Sequence, residues 1–285
     1  MNIFERLYGK LIRVLPRPVV DIIRKTISFG RHVRYGWRGV TVKVKGAQYL
    51  IQHNNGREFR RARQFARHEP IFIDAFCTSV KKSSVVYDVG SAIGTYALLA
   101  AKTAPNATII AFEPERLNFS ALKSNIEANN ADNIVALNIA LGDENTEMHL
   151  DRRELGDIAG VGTHRLVNGT TSDAELDKIE VCRGDDLVAQ ETIPPPQLLK
   201  IDVEGFELRV VYGLEKTLRT HKPDILMEIH PELLKQRGDT REALECYLEA
   251  LGYSCEQIRS PGETDSGHRQ YHALFQARQS AERPL

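Results

Sequence analysis

From residue 83 onward, short apolar runs alternate with longer amphipathic segments. Runs rich in β-branched residues predict strands at Val85–Val89, Thr108–Phe112 and Ile134–Leu141. The segments between them predict helices at Gly94–Thr103 and from Glu115 to about residue 129. Strand and helix in strict alternation favour a parallel sheet that is covered by helices on both faces.

A polar segment, Asp143–Asp177, interrupts this alternation. It is rich in Gly, Thr and Asp and too long for a plain connection, so we interpret it as an insertion. Beyond it the pattern predicts helices from Phe206 to about Thr220 and from about Thr240 to Leu251, and the remaining strands at Leu198–Val203, Ile225–Ile229, Cys255–Ile258 and His272–Phe275. The seven strands after residue 83 fit one doubly wound sheet.

The first residues follow a different pattern. Apolar side chains recur at helical spacing over residues 1–15, basic side chains lie away from that stripe, and Pro16 and Pro18 end it. A second short helical pattern covers Val19–Ile27. Residues 1–28 therefore predict a helical arm that either packs on the main domain or contacts a membrane surface through its basic face.

A hairpin and a basic run follow the arm. Val40–Lys45 and Ala47–Gln52 alternate apolar with polar residues around a Lys-Gly turn, which predicts a β-hairpin. Five arginines then follow within eleven residues, from Arg57 to Arg67. Such a run is usually a solvated helix face, and the alternative is contact with a phosphate or carboxylate of a substrate.

The charge distribution divides the chain although its formal net charge is zero. Residues 1–68 carry 16 basic and 3 acidic side chains, whereas residues 69–285 carry 22 basic and 35 acidic ones. We therefore predict a basic N-terminal extension over 1–68 and a catalytic domain over 69–285. No apolar run approaches the about 18 residues of a membrane span and no secretory signal is evident, so we expect a cytoplasmic protein, with peripheral contact at the inner membrane surface as an option.

A glycine loop marks the first candidate site. In YDVGSAIG, residues 87–94, a strand enters a loop with Gly90, Ser91 and Gly94 and then a helix, an arrangement that brings backbone close to a nucleotide-type cofactor. The spacing G-x-x-x-G departs from the G-x-G-x-x-G of dinucleotide sites. Asp88 at the strand end suits a ligand with an amino group and a sulfonium and would repel a pyrophosphate.

Two further carboxylates follow the next strands. Glu113 ends the second strand, 19 residues after Gly94, where an acidic side chain can accept both hydrogen bonds of a ribose diol. Helix-dipole compensation is the alternative for Glu113. Asp143 follows the third strand and can reach an adenine amino group or serve as a turn residue.

The late strands carry the candidate catalytic side chains. In LKIDVEGFE, strand alternation puts Lys200, Asp202 and Glu204 on one face, and MEIHP does the same for Glu228 and His230. Charged residues in a central strand are costly unless they face a cleft at its carboxyl end. Lys200 forms either a buried pair with an aspartate or part of the active site, with the buried pair preferred.

Together these motifs resemble the FkbM family of methyltransferases over roughly residues 70–235. The resemblance rests on DVGSAIG, FEP with Asn118, Leu122 and Asn125, ALGD, KIDVEGFE and EIH. It implies an α/β fold, the class I methyltransferase Rossmann-like sheet with seven mostly parallel strands and an antiparallel last strand, here with an N-terminal helical and hairpin extension. It also implies S-adenosylmethionine as methyl donor and hydroxyl groups of sugars, glycolipids or small metabolites as acceptors. Ala92 departs from the family pattern, in which Asn is common.

We expect an O-methyltransferase in which His230 is the base, oriented by Glu228 or Asp202. The rival is Mg²⁺ held by Asp202 and Glu228, which we do not favour. Alternative functions are an NAD-dependent oxidoreductase, or a membrane-recruited protein with a vestigial cofactor fold. The expected partner is a small-molecule or glycan acceptor. No nucleic acid is expected, because the basic cluster lies outside the sheet and the body is acidic.

Overall fold

A seven-stranded α/β sheet forms the centre of the protein in a computed structural model, which describes residues 39–53, 56–151, 165–167, 176–258 and 271–278. The sheet contains β3 (Val85–Val89), β4 (Thr108–Phe112), β5 (Ile134–Leu137), β10 (Leu198–Ile201), β11 (Asp224–Ile229), β12 (Tyr253–Ile258) and β13 (Tyr271–Ala277). Its spatial order is β12-β13-β11-β10-β3-β4-β5. Strands β5, β4, β3, β10 and β11 run parallel, and β13 runs antiparallel to both β11 and β12. This topology confirms the predicted sheet with its antiparallel last strand.

Helices cover both faces of this sheet. They are α1 (Gly56–His68), α2 (Pro70–Val80), α3 (Thr95–Thr103), α4 (Arg116–Ala128), α5 (Gly184–Ala189), α6 (Glu207–Gly213), α7 (Glu215–His221), α8 (Pro231–Gln236) and α9 (Arg241–Ala250). Alternate residues of each central strand enter two different hydrophobic clusters. Val86 packs with the helices before β5, and Tyr87 with those after β10. Burial on both faces is why these strands read as continuous apolar runs.

The N-terminal hairpin is confirmed and belongs to the same core. Strands β1 (Val40–Val44) and β2 (Ala47–Ile51) pair antiparallel around Lys45 and Gly46. The side chain of Asn129 bonds both the amide and the carbonyl of Leu50, at 2.7 and 2.6 Å. Asn125 accepts from the amide of Gln52 at 2.7 Å and donates to the Ile93 carbonyl at 2.9 Å. The boundary at residue 68 stays a prediction, as does the role of residues 1–28, which lie outside the described residues.

Three predicted elements are wrong in detail. The strand predicted over 134–141 is broken at Asn138, because β5 pairs with β4 whereas β6 (Ala140–Gly142) joins a second sheet. The region predicted as an insertion supplies the other strands of that sheet, β7 (Thr146–Asp151), β8 (Arg165–Val167) and β9 (Leu176–Arg183), in the order β6-β9-β7-β8. The helix predicted over 206–220 is divided at the buried Leu214.

No helix in the part of the chain that the structure describes has both the length and the apolar character needed to cross a bilayer.

Candidate active site

A cleft opens at the carboxyl ends of β3, β4 and β10, where ligands bind in open α/β sheets. The space between its walls amounts to about 720 Å³, part of which is open to solvent. Apolar side chains and backbone form much of its wall, and four acidic residues and one arginine also line it: Glu113, Glu115, Asp202, Glu204 and Arg61. Such a lining suits a ligand with an apolar ring and polar ends.

The predicted glycine loop forms one rim of the cleft. Gly90 has φ +81°, and a Cβ on it would lie 1.9 Å from the carbonyl oxygen of Asp202. Gly94 begins α3 with φ +91°, and its Cβ would lie 2.5 Å from Leu122 Cδ1. The close backbone carbonyl requires glycine at position 90, and the positive φ favours glycine at both positions. Ala92 also has a positive φ, +47°, a conformation that Asn tolerates better than Ala.

Glu113 lies at the end of β4 and lines the cleft, as predicted. Its Oε2 accepts from the amide of Ala92 at 2.7 Å and its Oε1 from the amide of Glu115 at 2.9 Å. Burial raises the pKa of Glu113 to about 7, although these two hydrogen bonds oppose the rise. One amide fixes each oxygen, and the side chain of Asn118 gives the same carboxylate a further hydrogen bond.

Asp88 is fully buried and is not among the residues that line the cleft. Its Oδ1 lies 3.2 Å from Lys200 Nζ, and Lys200 also donates to the carbonyl of Gly90 at 3.3 Å. Burial alone would lower the pKa of Lys200, but the carboxylates of Asp88 and Asp202 raise it. Lys200 therefore forms the buried pair that was the preferred interpretation. Ser91 is buried with its hydroxyl donating to the Asp88 carbonyl at 2.7 Å.

Asp143 follows β6 and takes part in an ion pair outside the cleft lining. Its Oδ2 lies 2.7 Å from Arg209 Nη1, and the same guanidinium lies 3.2 Å from Asp239 Oδ2. The adenine contact of Asp143 stays a prediction. Its carboxylate already has a charged partner that links β6 to α6.

The predicted catalytic residues come together at the edge between β10 and β11. Asp202 and Glu204 line the cleft, and Glu204 occupies the left-handed region with φ +50°. His230 is buried behind them, with Nε2 3.6 Å from Glu228 Oε1 and 3.7 Å from Glu204 Oε2. Sequence analysis predicted this group correctly as a spatial cluster.

The protonation of His230 argues against its predicted role as base. Burial alone would lower the pKa of His230, but the hydrogen bond to Glu207 and the carboxylates of Glu228 and Asp202 raise it to about 11. An imidazole with that pKa already carries a second proton at neutral pH, so it is not free to accept one. Burial raises the pKa of Glu204 to about 7, with the nearby His230 opposing the rise.

Four further residues belong to the site, and one of them, Glu207, is the last residue of the KIDVEGFE motif. Glu207 Oε1 lies 2.8 Å from His230 Nδ1 and also accepts from the amide of Gly205 at 3.0 Å. His272, opposite Glu228 in the β11–β13 register, has Nε2 at 3.7 Å from Glu228 Oε2 and 3.6 Å from Glu69 Oε2. Arg61 of α1 reaches the cleft from the N-terminal side.

Two groups of side chains could hold a metal ion, and they share Glu228. One consists of Asp202, Glu228 and His230, and the other of Glu69, Glu228 and His272. Within each group the ligand atoms lie within 4.8 Å of one another. Each group therefore adds a histidine nitrogen to carboxylate oxygens. A site with nitrogen among its ligands suits a transition-metal ion better than Mg²⁺.

Comparison with known proteins gives a consistent result. A family model described as the methyltransferase FkbM domain matches residues 88–255. The hexuronic acid methyltransferase AglP of Haloferax volcanii is 30% identical over 165 residues, which cover 58% of this chain and 63% of AglP. The 31-O-demethyl-FK506 methyltransferase FkbM of Streptomyces tacrolimicus is 28% identical over 213 residues, which cover 66% of this chain and 76% of that protein. The match thus spans less than two thirds of the length of AglP.

Solved structures give matches of low identity. The methyltransferase FkbM from Methylobacillus flagellatus KT matches with a TM-score of 0.44 and 15% identity, over 79% of this chain and 63% of that one. The TYW2 protein of M. jannaschii, solved with AdoMet, matches with a TM-score of 0.39 and 14% identity, over 85% of this chain and 89% of that one.

Proposed function

The chain belongs to the FkbM family of methyltransferases, and from this we propose that it transfers a methyl group from S-adenosylmethionine to a hydroxyl group of a sugar, glycolipid or small metabolite. The observation that carries the proposal is Glu113, held by two backbone amides at the rim of an open cleft. A carboxylate at the end of the second strand suits the two hydroxyls of a ribose. The oxidoreductase alternative is not favoured, because the family is one of methyltransferases and the loop lacks the third glycine of dinucleotide sites.

The residues that line the cleft support the assignment of S-adenosylmethionine as the cofactor. Phe112, Leu141 and Phe206 give apolar surface for the adenine ring next to Glu113. Gly90 and Ala92 place backbone at the rim of the cleft. When bound, S-adenosylmethionine supplies a methyl group on a positively charged sulfur. Acidic residues at the β10 end of the cleft would stabilise that charge, and we assign Asp202 to this side of the ligand.

The remaining part of the cleft would receive the acceptor. Asp202 and Glu204 offer carboxylate oxygens that can accept from several hydroxyls, as a sugar requires. Arg61 adds one positive charge at the same opening, and its guanidinium would pair with an acid group on the acceptor. The relative named for hexuronic acid supports an acidic sugar as the first acceptor to test.

The chain's main task in the reaction is alignment. The acceptor oxygen attacks the methyl carbon as the carbon–sulfur bond breaks, giving a methyl ether, S-adenosylhomocysteine and the hydroxyl proton. Holding oxygen, carbon and sulfur in line accounts for much of the acceleration expected of such a site. The cluster of Asp202, Glu204, Glu228 and His230 lies where that proton would leave.

Titration calorimetry with S-adenosylhomocysteine tests the cofactor assignment, and transfer of tritiated methyl from S-adenosylmethionine to hexuronic-acid glycans tests the acceptor. We expect saturable binding of one S-adenosylhomocysteine per chain and label in a methyl ether. Binding of NADH in place of S-adenosylhomocysteine would contradict the proposal. Label that enters neutral glycans in preference to acidic ones would contradict the role of Arg61 and leave the reaction itself intact.

A further inference from the structure

One imidazole nitrogen faces two carboxylates across unusually long ion-pair distances. The side chain of His230 is 5% exposed, and its Nε2 lies 3.6 Å from Glu228 Oε1 and 3.7 Å from Glu204 Oε2. A charge-assisted N–H···O bond would measure roughly 2.7–2.9 Å. The same ring makes a contact of 2.8 Å through Nδ1 to Glu207 Oε1. The long separations are therefore specific to the Nε2 side.

Separations of this length are typical of atoms that share a metal ion. Ligands about 2.0–2.2 Å from one ion lie roughly 2.8–3.8 Å apart for angles of about 90–120° at the metal. A proton between Nε2 and either oxygen would shorten one of the two separations, whereas a metal ion between them needs both to stay long. Asp202 completes the group, with its ligand atom within 4.8 Å of those of Glu228 and His230.

The support behind His230 also matches a metal ligand. Metal-bound histidines commonly donate their other ring N–H to a carboxylate, which fixes the tautomer and the ring orientation. Glu207 is fully buried, lies 2.8 Å from Nδ1 and accepts from the Gly205 amide through the same oxygen at 3.0 Å. Because an ionised carboxylate only accepts, Nδ1 carries a hydrogen, and a metal ion that binds at Nε2 would displace the proton that this nitrogen holds in the metal-free protein.

We propose that Asp202, Glu228 and His230 bind one divalent transition-metal ion, with Glu204 as a fourth ligand. One imidazole nitrogen with two or three carboxylate oxygens suits Mn²⁺, Fe²⁺ or Zn²⁺ better than Mg²⁺, which prefers oxygen alone. Asp202 and Glu204 line the cleft, so the ion would lie at the opening that receives the acceptor. Binding of the ion is independent of the proposed methyl transfer. Its use there, polarising the acceptor hydroxyl so that its proton leaves more easily, rests on that proposal.

The test measures metal binding directly on the full chain. Protein dialysed against EDTA is titrated with Zn²⁺ in competition with a chromophoric chelator, and with Mn²⁺ by electron paramagnetic resonance. We expect one ion per chain, and at least about tenfold weaker binding in Asp202→Asn and Glu228→Gln. His221→Gln, an exposed histidine on α7, serves as the matched control and should bind like the unaltered protein. Thermal melts and S-adenosylhomocysteine calorimetry on each variant show that fold and cofactor site are intact.

Two outcomes would overturn the proposal. If neither Zn²⁺ nor Mn²⁺ binds at micromolar concentration, there is no metal site. The positive charge among these carboxylates is then that of protonated His230. If His272→Gln abolishes binding and Asp202→Asn does not, the ion belongs to Glu69, Glu228 and His272 instead. Loss of S-adenosylhomocysteine binding with metal binding retained would count against the proposed function alone.

Discussion

Glu113 offers the sharpest test of the cofactor site, through the substitution Glu113→Gln. The carboxylate accepts two backbone amides, at 2.7 and 2.9 Å, and is 5% exposed. The amide of glutamine has one acceptor oxygen, so one of these backbone donors would face an NH₂ group and the ligand would lose a charged acceptor. A hydrogen bond to a charged group contributes about 1.5–3 kcal/mol. We therefore expect S-adenosylhomocysteine to bind roughly ten- to a hundredfold more weakly.

Calorimetry at pH 8 measures this loss, with Glu127→Gln, an exposed site on α4, as the matched control. The control should change the affinity by less than twofold. If Glu113→Gln binds within about threefold of the unaltered protein while its melting temperature is preserved, the ribose does not contact this carboxylate. A fall in the melting temperature of both variants would instead point to a general effect on α4.

The same residue predicts a pH dependence of known sign. Burial raises the pKa of Glu113 to about 7, with opposing hydrogen bonds from Glu115 and Ala92 and a repulsive contribution from the Glu115 carboxylate. Ligand hydroxyls need the ionised form, so the affinity for S-adenosylhomocysteine should rise between pH 6 and 8 and then level off. The unliganded fold should behave in the opposite way. Its native state holds this proton more tightly than the unfolded chain, so stability falls as pH rises from about 4.5 to 7, by up to about 3 kcal/mol. Both trends should be absent in Glu113→Gln.

Three further substitutions test the surroundings of the loop. Ala92→Asn should stabilise the protein against urea by about 0.5–1 kcal/mol, because Asn tolerates the left-handed backbone at φ +47°; no gain would mean that the strain is absent. Gly90→Ala should unfold at a much lower urea concentration than Gly238→Ala. Both positions have φ near +80°, but only at Gly90 would the new Cβ lie 1.9 Å from a carbonyl oxygen. Equal losses of stability in the two variants would show that the positive φ alone accounts for the effect. Lys200→Met should cost about 3–5 kcal/mol in urea unfolding by leaving the Asp88 carboxylate buried and unpaired. Adding Asp88→Asn should recover much of that cost, and additive losses would contradict the pairing.

The central sheet was predictable because its signal is local. Strands β3, β4, β5, β10 and β11 are largely apolar runs of four to six residues. The grouping of the polar side chains was predictable for a related reason, since polar side chains that end parallel strands meet at one edge. The break at Asn138 carries no such signal. The residues from Ile134 to Leu141 are apolar almost throughout, and only the pairing of β6 with β9 shows that they serve two sheets.

The supporting residues of the site were beyond sequence reasoning because their contacts are long-range. His272 faces Glu228 only because β13 inserts beside β11 in an antiparallel register. Glu69 approaches from the segment between α1 and α2, more than 150 residues earlier in the chain. Glu207 was visible within the motif, but its function as the partner of His230 depends on how α6 begins. Spacing along a strand predicts which side chains share a face, whereas partners from other elements depend on strand order.

A backbone contact joins the two sides of the proposed active site, the glycine loop after β3 and the end of β10. The amide of Asp202 donates to the Val89 carbonyl at 3.0 Å, and the Asp202 carbonyl packs directly on the Cα of Gly90. Lys200 donates to the Gly90 carbonyl from the same side at 3.3 Å. The loop that would hold the sulfur and the strand end that would hold the acceptor therefore cannot move independently. In the proposed in-line transfer, which depends on the separation of the two ligands, this backbone contact would help to set the attack geometry before either ligand binds. The Asp202 carbonyl also gives the physical reason why glycine is needed at position 90.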